Sequence, residues 1–446
     1  MKTRKKLLIA AISTALFSGN AAASGDEFQR LEDKITALET MLMSLKAELA
    51  EKDQAEQKAE KMQAAQAQKA AQEMAEAKAA EAEAKSAAPQ STYKFGGFVK
   101  TTASFSAYSD GDLAAGSVGR DFYIPGTTPV GGEGEGTDFD FHAKETRFNL
   151  KTTHKLANGD DIGTFIELDF LLAPSGNERV SNSYQPRIRH AFITYNDWLF
   201  GQTWSTFQDV GALPESADFL AASDGIVFER QAMVRYSKGP WSLALENPET
   251  TLTPFGGGGR IVSDDNGAPD FVAKYTHKAG WGHLAVAGLF RYLELDNVGD
   301  DTSEAAYGLS LTGKYKLGNR DDIRFNVASG AGMGRYVALN TANAAVVTDN
   351  GSLDTIDSTA VAVAYRHHWS DQWRSNFILS RIDIDNDADY TGGGVTKSSQ
   401  SAQINLLYSP APKLTLGMGY LHGKREIESG TDGELNRLIF SAKYAF

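Results

Sequence analysis

Two arginines stand two residues apart in the segment Arg187-Ile188-Arg189. If this segment is a strand, both side chains leave the same face. A guanidinium presents a planar fork of N–H donors that fits a carboxylate or phosphate with two parallel hydrogen bonds, and it stays charged at any working pH. The pair therefore predicts contacts with small anions. The alternative is that both arginines form ion pairs with neighbouring acids and touch no substrate.

The two arginines belong to a larger basic set, which alternating segments place on their polar faces. The basic members are Lys100, Arg147, Lys151, Arg187, Arg189, Arg235, Lys274, Arg291, Lys314, Lys316, Arg324, Arg366, Arg374, Arg437 and Lys443. The acidic members are fewer: Glu145, Glu167, Asp169, Glu246, Asp270 and Asp322. Because the whole chain carries a net charge of −13, the excess acid must lie in loops. A basic face raises the local concentration of anions. We expect Arg147, Arg187, Arg189, Arg235, Lys274, Arg291 and Arg366 to line a passage and contact substrate.

The segment Thr206–Gly225, called the constriction loop below, is too apolar for a free loop. Its apolar residues are Val210, Leu213, Phe219 and Leu220. Such a segment is expected to fold back onto a wall and to narrow a passage. Its acids are Asp209, Glu215, Asp218 and Asp224. Because acids facing the passage would repel anions, some of them should pair with arginines or face the wall.

The sequence predicts neither an enzyme nor a cofactor or metal site. The adjacent His367 and His368 would point to opposite faces of a strand. The series Asp383, Asp385, Asp387 and Asp389 lacks the glycine and the glutamate of an EF-hand loop, so only loose cation binding stays open. An outer-membrane hydrolase is the enzyme alternative, but we find no Ser/His/acid constellation for it.

Composition narrows the class of protein. The chain has 446 residues and no cysteine, which excludes a disulfide framework and a thiolate metal site. Its negative net charge argues against a nucleic-acid partner. After the N-terminus no run of about 18 apolar residues occurs, so a bundle of transmembrane helices is excluded. A membrane β-barrel remains, because alternation hides its apolar face from a hydropathy window.

About sixteen alternating segments follow Pro89, from Tyr93–Tyr108 to Leu435–Phe446. Short turns such as Gly239-Pro240 alternate with long connections such as Ser109–Asp140 and Glu294–Glu304, which is the outer-membrane pattern. Tyr and Trp recur near segment ends, as membrane-interface girdles do. We predict an all-β fold over residues 91–446: a 16-stranded antiparallel transmembrane β-barrel.

The last segment supports closure of that barrel. Leu438, Phe440, Tyr444 and Phe446 alternate with polar residues up to the end of the chain. A free apolar edge invites pairing with other chains, whereas in a closed barrel the last strand pairs with the first. An edge strand of a soluble sandwich is the alternative.

The N-terminal region predicts three further segments. Lys2, Arg4, Lys5 and Lys6 precede the apolar run Leu7–Phe17 and small residues up to Ala23, so residues 1–23 read as a secretory signal peptide. A heptad seam then predicts a coiled coil over residues 24–50: Phe28, Leu31, Ile35, Leu38, Leu42, Leu45 and Leu49. An amphipathic helix packed on its own domain is the alternative. Residues 51–90, rich in Ala, Glu, Lys and Gln, predict a helical spacer.

These elements together resemble a known family. Gly201-Gln202-Thr203-Trp204 with the constriction loop looks like trimeric porins whose third loop narrows the channel. With the signal peptide, coiled coil, spacer and sixteen strands, the whole chain resembles the DcaP-like porins. The resemblance implies a homotrimer in the bacterial outer membrane, in contact with its lipid, with the coiled coil in the periplasm. It also implies diffusion of small anions, dicarboxylates among them. A general, phosphate-selective or sugar-selective porin and a structural tether to the cell wall are the alternatives.

Overall fold

The computed structural model describes residues 25–87, 91–171, 176–177, 181–297 and 300–446. The predicted signal peptide and residues 88–90 of the predicted spacer lie outside this range. The side chains of Phe28 and Leu31 also lie outside the described set. The chain divides into two compact units, residues 1–88 and 89–446.

The described residues of the first unit form helix α1, which spans Gly25–Ala87. It covers the predicted coiled coil and most of the predicted spacer without a break. The described heptad residues, from Ile35 at 52% exposure to Leu38 at 66%, are open to solvent in the single chain. The coiled coil stays a prediction, since it requires a partner helix. None of the described helices has the length and apolar character to cross a membrane.

The second unit is a closed antiparallel β-barrel. Its strands are β1 (Ser91–Tyr108), β2 (Thr137–His142 and Arg147–Lys155), β3 (Asp161–Asp169), β4 (Arg187–Tyr195), β5 (Trp198–Trp204), β6 (Arg230–Lys238), β7 (Trp241–Glu246), β8 (Asp270–Ala279), β9 (Gly282–Asn297), β10 (Asp300–Leu317), β11 (Asp321–Ala331), β12 (Asp357–His368), β13 (Trp373–Asp385), β14 (Thr396–Ala411), β15 (Leu414–Ile427) and β16 (Asp432–Ala445). The sheet has 17 strand segments, and two of them form the interrupted β2, so the predicted sixteen strands are confirmed.

Closure joins the last strand to the first. β1 pairs with β16 from Phe98 opposite Ala445 to Tyr108 opposite Leu435. The ring of Phe446 lies 5.7 Å from that of Phe95, on the outer face of the seam. The predicted alternation holds around the wall: outward apolar side chains such as Phe200 and Leu309 are exposed, as lipid-facing residues must be.

The two ends of the barrel differ. Short turns close one end, and long connections, which contain their own short elements, cover the other. Small strands in these connections are Gly176–Asn177, Ser183–Tyr184, Thr250–Thr253, Ile261–Ser263, Ala345–Val347 and Leu353–Thr355. Short helical turns are Val118–Asp121, Pro125–Thr127, Val210–Ala212, Gly334–Tyr336 and Ala388–Thr391. Four of the small strands form a separate sheet over this end.

A β-bulge interrupts the register between β3 and β4. Glu167 pairs with His190, but the next residue, Leu168, pairs with Ile188. Arg189 is thus the extra residue, and the inward and outward positions of β4 exchange beyond it. Strict alternation predicts that Ile188 and Phe192 share the outer face, opposite to Arg187 and Arg189. For Phe192 this prediction is wrong, because its ring lies on the lumen side.

Two segment boundaries also differ from the sequence prediction. β2 breaks between His142 and Arg147, so part of the predicted first long loop is strand. The predicted loop Glu294–Glu304 is largely hairpin between β9 and β10. Beyond the lipid-facing apolar band the alternation of apolar outward and polar inward residues reverses. There Leu293 and Leu295 face inward and pack under the small loop strands.

Candidate functional site

The constriction loop leaves the barrel after β5 and crosses to the opposite wall. Near its start the carboxylate of Asp209 lies 2.7 Å from the Nε2 of His283 on β9. In its middle Glu215 accepts hydrogen bonds from the guanidinium of Arg374 on β13. A Cβ on Gly225, at its end, would overlap the carbonyl oxygen of Val361 on β12. The loop therefore spans the barrel interior and contacts the wall at both ends.

Asp224 fixes the returning half of the loop. Its buried carboxylate accepts hydrogen bonds from the hydroxyls of Tyr123 at 2.8 Å, Ser380 at 2.9 Å, Ser399 at 2.6 Å and Ser401 at 2.5 Å. No cation pairs with it among the described residues. Burial raises the pKa of Asp224, and the four hydroxyls offset this only in part.

The other loop acids differ from Asp224 in their partners. Lys100 donates to the backbone oxygen of Asp218 at 3.0 Å, and burial raises the pKa of the Asp218 carboxyl. Burial would also raise the pKa of Glu215, but the hydrogen bonds and the charge of Arg374, together with the charges of Arg366 and Lys443, outweigh it, so this pKa is lowered. Of the four loop acids, Glu215 is thus the one that pairs with arginine.

A second connection, between β11 and β12, fills much of the remaining interior. The buried Tyr336 donates to Asp270 at 2.8 Å and accepts from Gln231 at 2.6 Å. Its backbone oxygen accepts from the N–H of Phe228, just after the constriction loop, at 3.0 Å. The two connections form one packed body against β6–β13, and the open space lies beside it.

That space is a cavity of about 560 Å³ between the constriction loop and the opposite part of the wall. Its walls come from β1–β5, β14–β16 and the loop itself. Its charged lining residues are Lys100, Glu145, Arg147, Glu167, Arg189, Glu215, Asp218 and Lys443. Its aromatic lining residues are Phe98, Phe165, His190, Phe192, Trp204, Phe219 and Phe228.

Cations and aromatic rings alternate around this cavity. Lys443 and Arg147 lie over Phe98 at 5.2 and 5.1 Å from the ring centre, and Arg147 also lies over Phe219 at 5.6 Å. Arg189 continues the series over Phe219. From there the series reaches Trp204 (5.8 Å from Arg189), Arg230 (4.7 Å from Trp204) and Phe228 (6.0 Å from Arg230). We call this series the cation–ring arc; each contact within it stabilises a cation away from bulk water.

The arginines of the first sequence motif are already paired with acids. Arg187 donates to Asp169 at 2.6 Å. Arg189 donates to Glu167 at 2.9 Å and to Asp169 at 2.7 Å, and its side chain is 1% exposed. Arg147 has fewer and weaker partners. Its closest ion-pair distance is 3.7 Å, to Glu167, and its buried Nε has no hydrogen-bond partner.

The other predicted pore-lining cations hold loops in place. Arg235 donates to the Thr206 hydroxyl at 2.7 Å, and Lys274 donates to a backbone oxygen at Gln208. The guanidinium of Arg291 donates to Asp270 and to loop carbonyl oxygens. Arg366 pairs with Asp322 and lies 3.9 Å from Glu215. None of these four residues is among those that line the cavity.

The sequence prediction missed Arg230 as a site residue and left Lys443 out of the substrate set. Arg230 opens β6 opposite Trp204, which ends β5. Trp204 lines the cavity, and the guanidinium of Arg230 lies over its ring. The sequence signal that could have predicted this contact is an aromatic residue at the end of one strand and a basic residue at the start of the next, Trp204 and Arg230. The described residues contain no cluster of His, Cys, Asp and Glu able to hold a metal ion.

Comparisons with known proteins identify the family. The model of the DcaP outer membrane protein family matches residues 22–446. This chain belongs to the DcaP family. The outer membrane channel DcaP of Acinetobacter baumannii shares 25% identity, with a TM-score of 0.66 over 80% of this chain and 97% of that chain.

A more distant likeness concerns the fold. An anion-selective porin from Comamonas acidovorans is 10% identical, with a TM-score of 0.51 over 80% of this chain and 100% of that chain. No curated protein matches this sequence. Membership of the DcaP family makes this chain an outer-membrane porin.

Proposed function

We propose that this porin passes small anions, dicarboxylates among them, through the cavity beside the constriction loop. The observation that supports this is the cation–ring arc. Arg147 and Lys443 line the cavity with no carboxylate as close as a strong ion pair among the described residues, and Arg230 lies over Trp204, which also lines it. The acids nearby are engaged, since Glu145 holds Lys100 and Glu215 holds Arg374. Uncompensated cations at a narrow point favour anions over cations.

Orientation and assembly complete the proposal. The short-turn end faces the periplasm and the long-loop end faces outward, as in outer-membrane barrels. The helix α1 then lies in the periplasm, and its exposed seam pairs with two further copies in a homotrimer. A contact between α1 and the cell wall would be a role in addition to transport.

Single-channel recording tests the proposal. The full-length porin in planar bilayers, under a KCl gradient, should give a reversal potential displaced toward the chloride equilibrium potential. Succinate in place of chloride should still carry current. A reversal potential on the potassium side would refute anion selectivity. Equal permeation by phosphate and succinate would favour a general anion pore over a carboxylate-preferring one.

A further inference from the structure

Aromatic rings line a passage that a water-filled barrel would ordinarily line with polar side chains. In porins the lumen face is polar, because the outward face alone meets lipid. Here Phe98, Phe165, Phe192 and Trp204 border the cavity and are only partly buried. An apolar surface kept beside water has an energetic cost, so such rings at the narrow point indicate a ligand that covers them.

The bulge at Arg189 creates this surface. It turns both His190 and Phe192 into the lumen, opposite Glu167 and Phe165 respectively. The ring of Phe165 lies 5.6 Å from Phe192 and 5.9 Å from His190, which in turn lies 5.5 Å from Trp204. We call these four side chains the aromatic wall. Since bulges re-aim side chains next to functional sites, the aromatic wall is a built feature of the passage.

Positive charge borders the same cavity. Arg147 and Lys443 flank the ring of Phe98, and the buried Nε of Arg147 lacks a hydrogen-bond partner. We call this pair the cationic edge. Three of the four cavity carboxylates are bonded to other cations: Glu167 to Arg189, Glu145 to Lys100 and Glu215 to Arg374. The fourth, Asp218, is buried and accepts the backbone N–H of Phe219.

We infer that the cavity is a subsite for aromatic carboxylates, with the carboxylate on the cationic edge and the ring on the aromatic wall. This inference rests on the proposed anion channel and names its substrate class. A carboxylate supplies two acceptors to the guanidinium fork of Arg147. A flat ring stacks on other rings with a specific geometry that a saturated ring lacks. Inorganic phosphate gains nothing from the rings.

The test compares two monocarboxylates of similar size on the full-length wild-type porin in planar bilayers. Benzoate carries a flat ring, and cyclohexanecarboxylate carries a saturated one. Benzoate should interrupt the chloride current at about threefold to tenfold lower concentration, as the worth of an aromatic pair implies. Equal block by the two acids would overturn the inference, whereas a potassium-side reversal potential in KCl would instead overturn the proposed anion channel.

Variants locate the subsite. The double variant Phe165→Leu with Phe192→Leu should abolish the benzoate advantage. Phe200→Leu is the matched control, since Phe200 lies on the outer face of β5 and is 43% exposed. A benzoate advantage that survives in the double variant would refute the aromatic wall. Phe192→Leu alone, checked for barrel folding by circular dichroism, serves if the double variant does not fold, and it should reduce the advantage.

Discussion

Lys100 on β1 and Lys443 on β16 are directly opposite each other at the seam where the barrel closes. Two like charges at such a position repel. Lys100 is relieved by Glu145, whose carboxylate lies 2.6 Å from its Nζ, whereas Lys443 forms no ion pair among the described residues. One lysine is thus structural, and the other remains available to a passing anion.

Neutralising Glu145 should release Lys100. In Glu145→Gln we expect higher chloride selectivity by reversal potential, because a buried negative charge at the cavity disappears. Breaking one partner of a buried pair costs about 3–5 kcal/mol, so thermal unfolding should also begin at lower temperature. Glu133→Gln, at an exposed loop position, should change neither quantity. Unchanged selectivity in Glu145→Gln would show that Lys100 does not reach the permeating ion.

Removing the cationic edge should weaken anion preference. In Arg147→Gln with Lys443→Gln, each lost charge changes the ion's energy by about 1 kcal/mol, or about fivefold in permeability ratio, if water screens the contact. Lys155→Gln with Lys413→Gln is the control, since both lysines are exposed at the short-turn end. If the two double variants have the same permeability ratio, the selectivity filter lies elsewhere.

A methyl group on Gly225 should displace the constriction loop. In Gly225→Ala the new Cβ meets the backbone oxygen of Val361, which cannot rotate away as a side chain would. We expect a changed single-channel conductance and more frequent current fluctuations. Gly259→Ala adds a methyl group into open space, and its conductance should match wild type. Wild-type conductance in Gly225→Ala would mean that the loop does not set the narrowest point.

Asp224 should make loop closure depend on pH. While the loop is closed, the pKa of Asp224 is raised, so the buried carboxyl keeps its proton to higher pH. When the loop opens and water reaches the carboxyl, the carboxyl loses that proton above its ordinary pKa of 3.8. Closure is therefore stabilised fully below that value, and this contribution is lost as pH rises through the raised pKa. We expect gating events to become more frequent across that window.

Asp224→Asn should remove part of that dependence. Asp218, whose pKa burial also raises, keeps the remainder with the same sign. Asp349→Asn, at an exposed loop position, is the control. An unaltered pH profile in Asp224→Asn would assign the titration to other groups.

The seam of α1 should decide whether the helix associates. Leu42→Asp puts a charge at a predicted coiled-coil core position, and Met43→Asp puts the same charge one residue away. Both side chains are exposed in the single chain, at 55% and 73%. Chemical crosslinking of α1 into trimers should fall in Leu42→Asp alone. Equal crosslinking in both variants would contradict a coiled coil.

The barrel could be predicted from sequence because each strand repeats one simple rule. Lipid selects apolar residues such as Phe200 at every second position, and water selects polar ones between them. The rule loses force where the wall leaves the membrane. Leu293 and Leu295 face inward there because loops pack against them, so the chain from Glu294 onward was predicted as a loop.

The site could be predicted only in outline. A basic lumen follows from strand parity, but the bulge that turns Phe192 inward leaves no mark in composition or alternation. The role of Arg235 depends on the Thr206 hydroxyl and that of Arg291 on loop backbone oxygens, all far away in the chain. A side chain that holds a loop and one that meets a solute have the same periodicity, since both face inward.

The packed connections around Tyr336 divide the barrel wall into two arcs that should evolve differently. Substitutions on β6–β13 meet a filled interior, so they risk the fold and alter transport only indirectly. Substitutions on β1–β5, β14–β16 and the constriction loop border open space. New solute preferences should therefore arise by changes confined to the open arc. A selection for growth on a poorly permeating acid should recover its mutations there.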